Sequence, residues 1–189
     1  CITTKDVTRG ARRLNKSAAT SVILATERLH LRAFTLDDAD FILRLLNEAT
    51  FIANIGDRGV RTLDDARAYL AAGPLASYAA NGFGLWLIEQ RTDRQAVGMC
   101  GLLKRDVLPD ADIGYALLPE FAGRGYALEA AAATLELAQQ TLGLARILAI
   151  VNPSNAGSIR LLERLGFAFE RMVQMSAGSS EICLYARGA

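Results

Sequence analysis

Residues 112–127 read DIGYALLPEFAGRGYA, and the rest of the chain is arranged around them. The first part, 112–118, is rich in β-branched, aromatic and aliphatic residues and predicts a strand. Pro119 ends it, having no N–H to give to a ladder. Gly123 and Gly125 then bracket Arg124. From Tyr126 the chain continues YALEAAAATLELAQQTL, with Leu128, Ala131, Leu135, Ala138 and Leu142 on one helical face and Gly143 where a helix stops.

A glycine turn that opens a helix is an anion site. Glycine lets the backbone turn sharply and approach a ligand closely. The first N–H groups of the helix have no internal partner and point outward. The helix dipole adds about 0.3–1 kcal/mol for a nearby anion, and each N–H bond to a charged oxygen about 1.5–3 kcal/mol. A diphosphate is the natural guest, with Arg124 placed to add a side-chain contact. The nucleotide loop GxxxxGK[ST] is absent, and the third glycine of a dinucleotide GxGxxG would fall on Leu128.

At 189 residues the chain is long enough for one domain with a full core. Apolar residues make up 51% and charged ones 22%, a globular balance, and no apolar run nears the roughly 18 residues of a membrane span. A net charge of +1 argues against nucleic acid as the main partner. Cys1, Cys100 and Cys183 are odd in number and lack CxxC spacing, so neither a metal site nor a disulfide framework is expected, and a reducing cytoplasm is. Residues 1–21 differ from the rest: five basic side chains stand against Asp6 alone, with no periodicity. They read as a disordered tail or extension, and residues 22–189 as a single domain.

In the front half, ERLHLRAF at 27–34 alternates as a strand, with Leu29 and Leu31 on one face and Arg28, His30 and Arg32 on the other. Thr35-Leu36-Asp37-Asp38 opens a helix carrying Leu36, Ile42, Leu45 and Leu46 inward, and Thr62-Leu63-Asp64-Asp65 opens a second with Leu63, Ala66 and Leu70. Between them TFIANIGDRGVR reads as a loop, in which Phe51, Asp57 and Arg58 are candidates to face a substrate. GLWLIE at 84–89 and AVGMCGLL at 96–103 form a hairpin, apolar on both faces and therefore covered by helices, with Trp86 in the core. RILAIV at 146–151 follows the long helix and should run parallel to 112–118. NPSNAGSIRLLERLGF then gives a helix capped by Ser154 or Asn155, carrying Ile159, Leu162 and Leu165 and ended by Gly166, before a last strand pair at 167–173 and 181–187.

Two stretches share a pattern with one known family. Ala122-Gly123-Arg124-Gly125-Tyr126-Ala127 resembles the acyl-CoA loop [QR]xxGx[GA] of the GNAT superfamily of N-acetyltransferases, with Ala122 in place of the usual Gln or Arg. Asn155, Ala156, Gly157 and Ser158 followed by IRLLERLGF resemble the Asn and helix that follow the next strand in those enzymes. TERLHLRAFT and DIGYALLPEF look like the ribosomal-protein N-acetyltransferase (Rim-type) branch. The likeness runs from about Thr26 to the C-terminus.

The resemblance implies an α/β (α+β) fold: a mixed, mostly antiparallel sheet flanked by helices, with a V-shaped splay between the fourth and fifth strands, 112–118 and 146–151. It implies acetyl-CoA as cosubstrate and no metal. The pantetheine arm would pair with backbone at Ala116, Leu117 and Leu118, the diphosphate would sit on residues 122–127, and Asn155 and Ser158 would touch the arm. The implied reaction is direct acetyl transfer to a primary amine, either a protein N-terminus or a small molecule, by a monomer or homodimer. An α-amino group near pKa 8 is about 10% neutral at pH 7 and a lysine near 10.4 only about 0.04%. A base therefore matters, and Asp112 is the candidate, acting directly or through water. The usual acid of the family, a Tyr, falls on Leu162; Ser158 is the candidate in its place, followed by Tyr115 and Cys100, both otherwise core. The thioester carbonyl would be polarised by the N–H of Leu117 or Leu118. The second reading is a CoA-binding regulatory or catalytically degenerate protein of the same fold.

Overall fold

A computed structural model describes residues 22–188. The described residues hold eight strands: β1 (Val22–Ala25), β2 (Leu29–Arg32), β3 (Leu85–Gln90), β4 (Ala96–Leu103), β5 (Asp112–Leu117), β6 (Arg146–Val151), β7 (Ala168–Val173) and β8 (Ile182–Gly188). They form one sheet in the order β1-β2-β3-β4-β5-β6-β8-β7. The helices are α1 (Ala39–Leu46), α2 (Ala49–Ile55), α3 (Leu63–Leu70), α4 (Ala76–Asn81), α5 (Tyr126–Gln140) and α6 (Ala156–Arg164). This is the mixed α/β sheet expected from the motifs.

Leu29 and Leu31 are fully buried while His30 and Arg32 lie on the opposite, half-buried face, as their alternation requires. Strands β3 and β4 are buried on both faces. Helix α5 covers one face, with Thr134 Oγ1 3.5 Å from Cys100 Sγ of β4. On the other face Leu85 and Leu103 look across a groove to Tyr69 and Ser77 of α3 and α4. Every neighbouring pair is antiparallel except β5 with β6, because α5 carries the chain back to start β6 from the same end.

Both capping boxes close, at Thr35 with Asp38 and at Thr62 with Asp65. The first begins a 3-10 turn rather than the α-helix itself, so Leu36 points outward, 46% exposed, instead of into the core; Leu63, the first residue of α3, is likewise 36% exposed. The segment expected as a loop after α1 contains α2, anchored by buried Phe51. Gly56 and Gly59 shape only its exit, at φ of 104° and 69°. The chain also continues past α3 through a wide π turn containing Pro74 into α4; the ring cannot sit in a regular i→i−4 ladder, and the wider turn accommodates it. Edge strand β1, mostly exposed, has no alternation to announce it. The expected tail, 1–21, lies outside the described residues.

An ion network ties the first half together. Arg32 binds Asp38 at 2.7 and 2.9 Å and Glu89 at 2.6 Å. Arg94 Nε lies 2.9 Å from the other Glu89 oxygen at an angle too poor for a hydrogen bond, leaving an ionic contact only.

Candidate active site

The site begins where the sheet comes apart. Strands β5 and β6 pair at one position, Asp112 with Leu148, where Leu148 N–H donates to the Ala111 carbonyl at 2.9 Å, and then diverge. On the other side β5 stays paired to β4 along its whole length, in the register Gly98 to Leu117. One bond fixes which groups face the opening: Leu118 N–H donates to Val97 O at 2.9 Å. Residues alternate along an antiparallel strand, so the N–H and C=O of Gly114 and Ala116 and the N–H of Leu118 turn to β4, while the Leu118 carbonyl accepts from Phe121 N–H at 3.0 Å. Those of Tyr115 and Leu117 turn to the opening. The pairing expected at Ala116, Leu117 and Leu118 is thereby narrowed: Leu117 offers a free N–H, whereas Leu118's is spent. The opening is a cleft of about 940 Å³, walled by β5, β6, the exit of α2 and the start of α6.

At the end of β5 the chain makes a short 3-10 turn and then two left-handed glycines, Gly123 at φ 74° and Gly125 at φ 81°, before α5 starts at Tyr126. Any side chain would be strained there. Ala122, Gly123 and Ala127 line the cleft, and a Cβ on Gly123 would meet nothing within 4 Å. The ring of Tyr126 is buried and its hydroxyl donates to Gln90 Oε1 at 2.8 Å, so this residue can offer a ligand only its backbone. Arg124 does not reach into the cleft; its guanidinium lies 5.5 Å from the Phe121 ring, and its carbonyl takes a bond from Arg28 at 3.0 Å. Arg28 is held in turn by Glu129.

Asp112 lines the cleft but is fully buried, with Arg105 Nε 2.9 and 3.2 Å from its two oxygens. Burial pushes its carboxyl up; the Arg105 charge and hydrogen bond pull it back, and the net position stays above the ordinary carboxylate range. Three residues along, on the opposite face of the strand, Tyr115 reaches Ser158 of α6, hydroxyl to hydroxyl at 2.6 Å. Burial pushes the Tyr115 phenol up to about 12 despite that bond. Asn155, rather than Ser154, caps α6, its Oδ1 accepting from Ser158 N–H at 3.0 Å. Asn155, Gly157 and Ser158 all line the cleft. Leu162 sits one turn on, buried.

Arg105 was invisible to motif reading, because it lies in an irregular connection and matters only through Asp112, seven residues on. Tyr115 had been expected chiefly as core; its alternation with Asp112 across the strand was the available signal. Of the other candidates, Cys100 is wholly buried and its thiol is pushed up to about 12 by burial, while Phe51 is core with an edge on the cleft. Asp57 turns away to Arg61, and Arg58 lines the cleft. His30 lies on a half-buried face of β2, its Nδ1 3.1 Å from Arg94, away from the cleft walls.

Residues 28–168 match the model of the acetyltransferase (GNAT) domain family. The chain is a GNAT acetyltransferase. Among relatives of this acetyltransferase, the uncharacterized N-acetyltransferase YoaA of Bacillus subtilis (strain 168) is 29% identical over 153 residues, covering 80% of this chain and 86% of that protein. The crystal structure of the acetyltransferase from Agrobacterium tumefaciens str. C58 superposes with a TM-score of 0.76 at 26% identity, over 95% of this chain and all of the other. RimL, a ribosomal L7/L12 alpha-N-protein acetyltransferase solved in complex with coenzyme A, shares the fold at a TM-score of 0.76 and 18% identity, over 89% and 98% of the two chains. In the GNAT chain described here no helix among the described residues is long and apolar enough to cross a membrane.

Proposed function

We propose that this acetyltransferase takes its acetyl group from acetyl-CoA and passes it directly to a primary amine, either a protein N-terminus or a small molecule. The observation that carries the reading is the continuity of the splay with the glycine turn. An unpaired edge at Tyr115 and Leu117 leads straight to an α-helix whose first N–H groups are free. An amide-bearing arm satisfies the first and a diphosphate the second. RimL, which shares the fold and was solved with coenzyme A, supports CoA as the partner, and the stretches at 26–35 and 112–121 support an affinity with the Rim-type branch. Two buried free thiols, Cys100 and Cys183, suit a reducing cytoplasm.

The diphosphate lies on backbone N–H groups of residues 123–127, that of Ala122 being spent on the Pro119 carbonyl, and Asn155 and Ser158 touch the pantetheine arm. Leu117 N–H pairs with the pantetheine arm, and the N–H of Tyr115, which also faces the opening and lies nearer Asp112 and Ser158, holds the thioester oxygen as it gains charge. Asp112 takes a proton from the incoming ammonium through water, and its raised carboxyl is better matched to that task than an ordinary one. The amine attacks the carbonyl carbon, the C–S bond breaks, the leaving sulfur accepts the Ser158 hydroxyl proton, and Ser158 recovers a proton through water from the acylated nitrogen, which must shed one to become the amide. Tyr115, protonated across the neutral range, orients that hydroxyl and supplies the group missing at Leu162. A hydroxyl pair in this position favours catalysis over a merely CoA-binding role.

Thiol release from acetyl-CoA, followed with and without a panel of amines and with mass analysis of the products, tests the reading. Amine-dependent release with matching N-acetyl product is expected. Release equal with and without amine, and no acetylated product, would contradict it.

A further inference from the structure

The part of the cleft farthest from the glycine turn carries charge for which acetyl-CoA has no use. Asp112 begins β5 and the turn follows its other end; at about 3.3 Å per residue the strand separates them by roughly 15–20 Å. The reactive end of an acyl-CoA is a neutral thioester, and its phosphates lie at the opposite end of the molecule. Yet Arg58 and Arg105 both line the cleft, Arg105 directly against Asp112. Arg105 commits Nε to Asp112, and the two terminal nitrogens of its fork make no hydrogen bond among the described residues. Arg58 is exposed and has no partner among them. Its neighbour Asp57 does not neutralise it, because that carboxylate takes the Gly59 N–H and pairs with Arg61. Among the described residues lining the cleft the one acid is Asp112, buried and already paired.

From this excess of cation we infer that the acceptor is an amine whose own molecule carries a carboxylate or phosphate a few bonds from the nitrogen, held by Arg58 and the free fork of Arg105. The inference rests on the amine acetylation proposed above and names the class of acceptor. The nitrogen goes to Asp112 and the anion to the guanidinium groups beside it, so one anchoring contact also orients the nucleophile. A polyamine is a poor fit: its second ammonium finds no unpaired carboxylate and faces two guanidinium groups.

The test uses alanyl-aspartate amide, alanyl-asparagine amide, alanyl-phosphoserine amide and spermidine, assayed with acetyl-CoA on the wild type, Arg58→Ala and Arg58→Glu. The same acceptors are titrated by calorimetry onto CoA-saturated protein, which reads the acceptor site without chemistry. The two anionic peptides should exceed the asparagine peptide by about 10- to 100-fold in kcat/KM and in affinity, with spermidine lowest. Arg58→Ala should cut that preference about tenfold, and Arg58→Glu should abolish it, with CoA affinity unchanged in both. The stronger of the two anionic peptides tells phosphate from carboxylate. Equal use of all four acceptors, or a preference indifferent to Arg58, overturns the inference and leaves acetyl transfer standing. Anionic peptides that bind through Arg58 yet never draw thiol from acetyl-CoA would overturn the transfer reading and keep the inference.

Discussion

Asp112 carries two opposing demands. Ionised and fully buried, it is held above the ordinary carboxylate range by desolvation, with Arg105 offsetting part of the shift. A group whose folded pKa is raised contributes stability below its unfolded value, near 3.9, and loses it as pH rises through the folded value. At neutral pH the charge is therefore a burden on the fold. Asp112→Asn should leave thermal stability at pH 7–8 unchanged or slightly higher, since Arg105 is partly solvated and can do without its partner. The rate should nonetheless fall about 10²–10³-fold at pH 7, and the deficit should shrink as pH approaches the pKa of the amine. Measuring kcat/KM from about pH 6 to 9.5 with melting temperatures alongside separates this from a structural role, which would lower stability and give a loss that no pH recovers. At the hydroxyl pair, Tyr115→Phe removes the group that orients Ser158. It should lower kcat more than it changes the acetyl-CoA affinity, and Ser158→Ala in the same background should add little, because the two act as one unit. Independent, multiplying losses in the double variant would dissolve the pair.

At the scale of elements, the glycine turn can be tested with a matched control. Gly123 and Gly143 both sit at left-handed φ, 74° and 65°, and a Cβ on either meets nothing within 4 Å. Replacing either by alanine should cost the fold the same amount, about 1–2 kcal/mol of backbone strain. Only Gly123→Ala should weaken CoA, by about 10-fold or more, since its Cβ occupies the ground of the diphosphate. Equal CoA affinities in the two variants, by calorimetry, would remove the turn from the binding site. The Arg32 network belongs to this scale as well. Burial alone would push the Asp38 carboxyl up, but Arg32 and the Thr35 N–H outweigh it and leave it below the ordinary range. Its stability is therefore present above about pH 4 and lost as pH falls through the depressed value. Arg32→Met strands Asp38, leaves Glu89 only its ionic contact with Arg94, and should cost about 3–5 kcal/mol at pH 7, with a smaller cost near pH 3; a denaturation midpoint that stays put would show the network to be inert.

The same scale shows what a sequence can and cannot tell. Strands β2 to β6 and helix α5 were legible because period-two alternation, doubly apolar runs and a glycine-bounded helical face each leave a local mark. Helix α2 was not, because Gly56 and Gly59 at its exit spoke louder than the apolar residues before them. Leu36 was misplaced because a capping box fixes where a helix begins, not whether its first turn is α or 3-10. The glycine turn and the Asn155 cap could be read in advance, since backbone conformation and capping are sequence-local. The Arg105 partner of Asp112 and the choice of Leu117 over Leu118 were beyond reach, since both depend on strand register and side-chain packing across the sheet.

Over the whole molecule, the residues after 21 carry a net charge near −3, against +4 on the first 21. Strand β1, at the start of the described residues, pairs with β2. A chain starting at Val22 should keep its acetyl-CoA affinity and its turnover within about twofold, and a large loss of either would make residues 1–21 part of the site. The central claim is that acetyl-CoA lies in the splay with its diphosphate on the start of α5. Amide hydrogen exchange across the whole chain, with and without CoA, tests it most directly. The amides of Ala116 and Leu118 are turned to β4 and should be slow in both states. Those of Leu117, Tyr126 and Ala127 have no strand or helix partner and should be fast in the free protein, then slow by about 10-fold or more when CoA binds. Protection confined to those amides, Tyr115 and the cap of α6 is the predicted result. Binding that leaves Leu117 and the first turn of α5 unprotected, or that protects the groove between α3, α4 and the sheet instead, would contradict it.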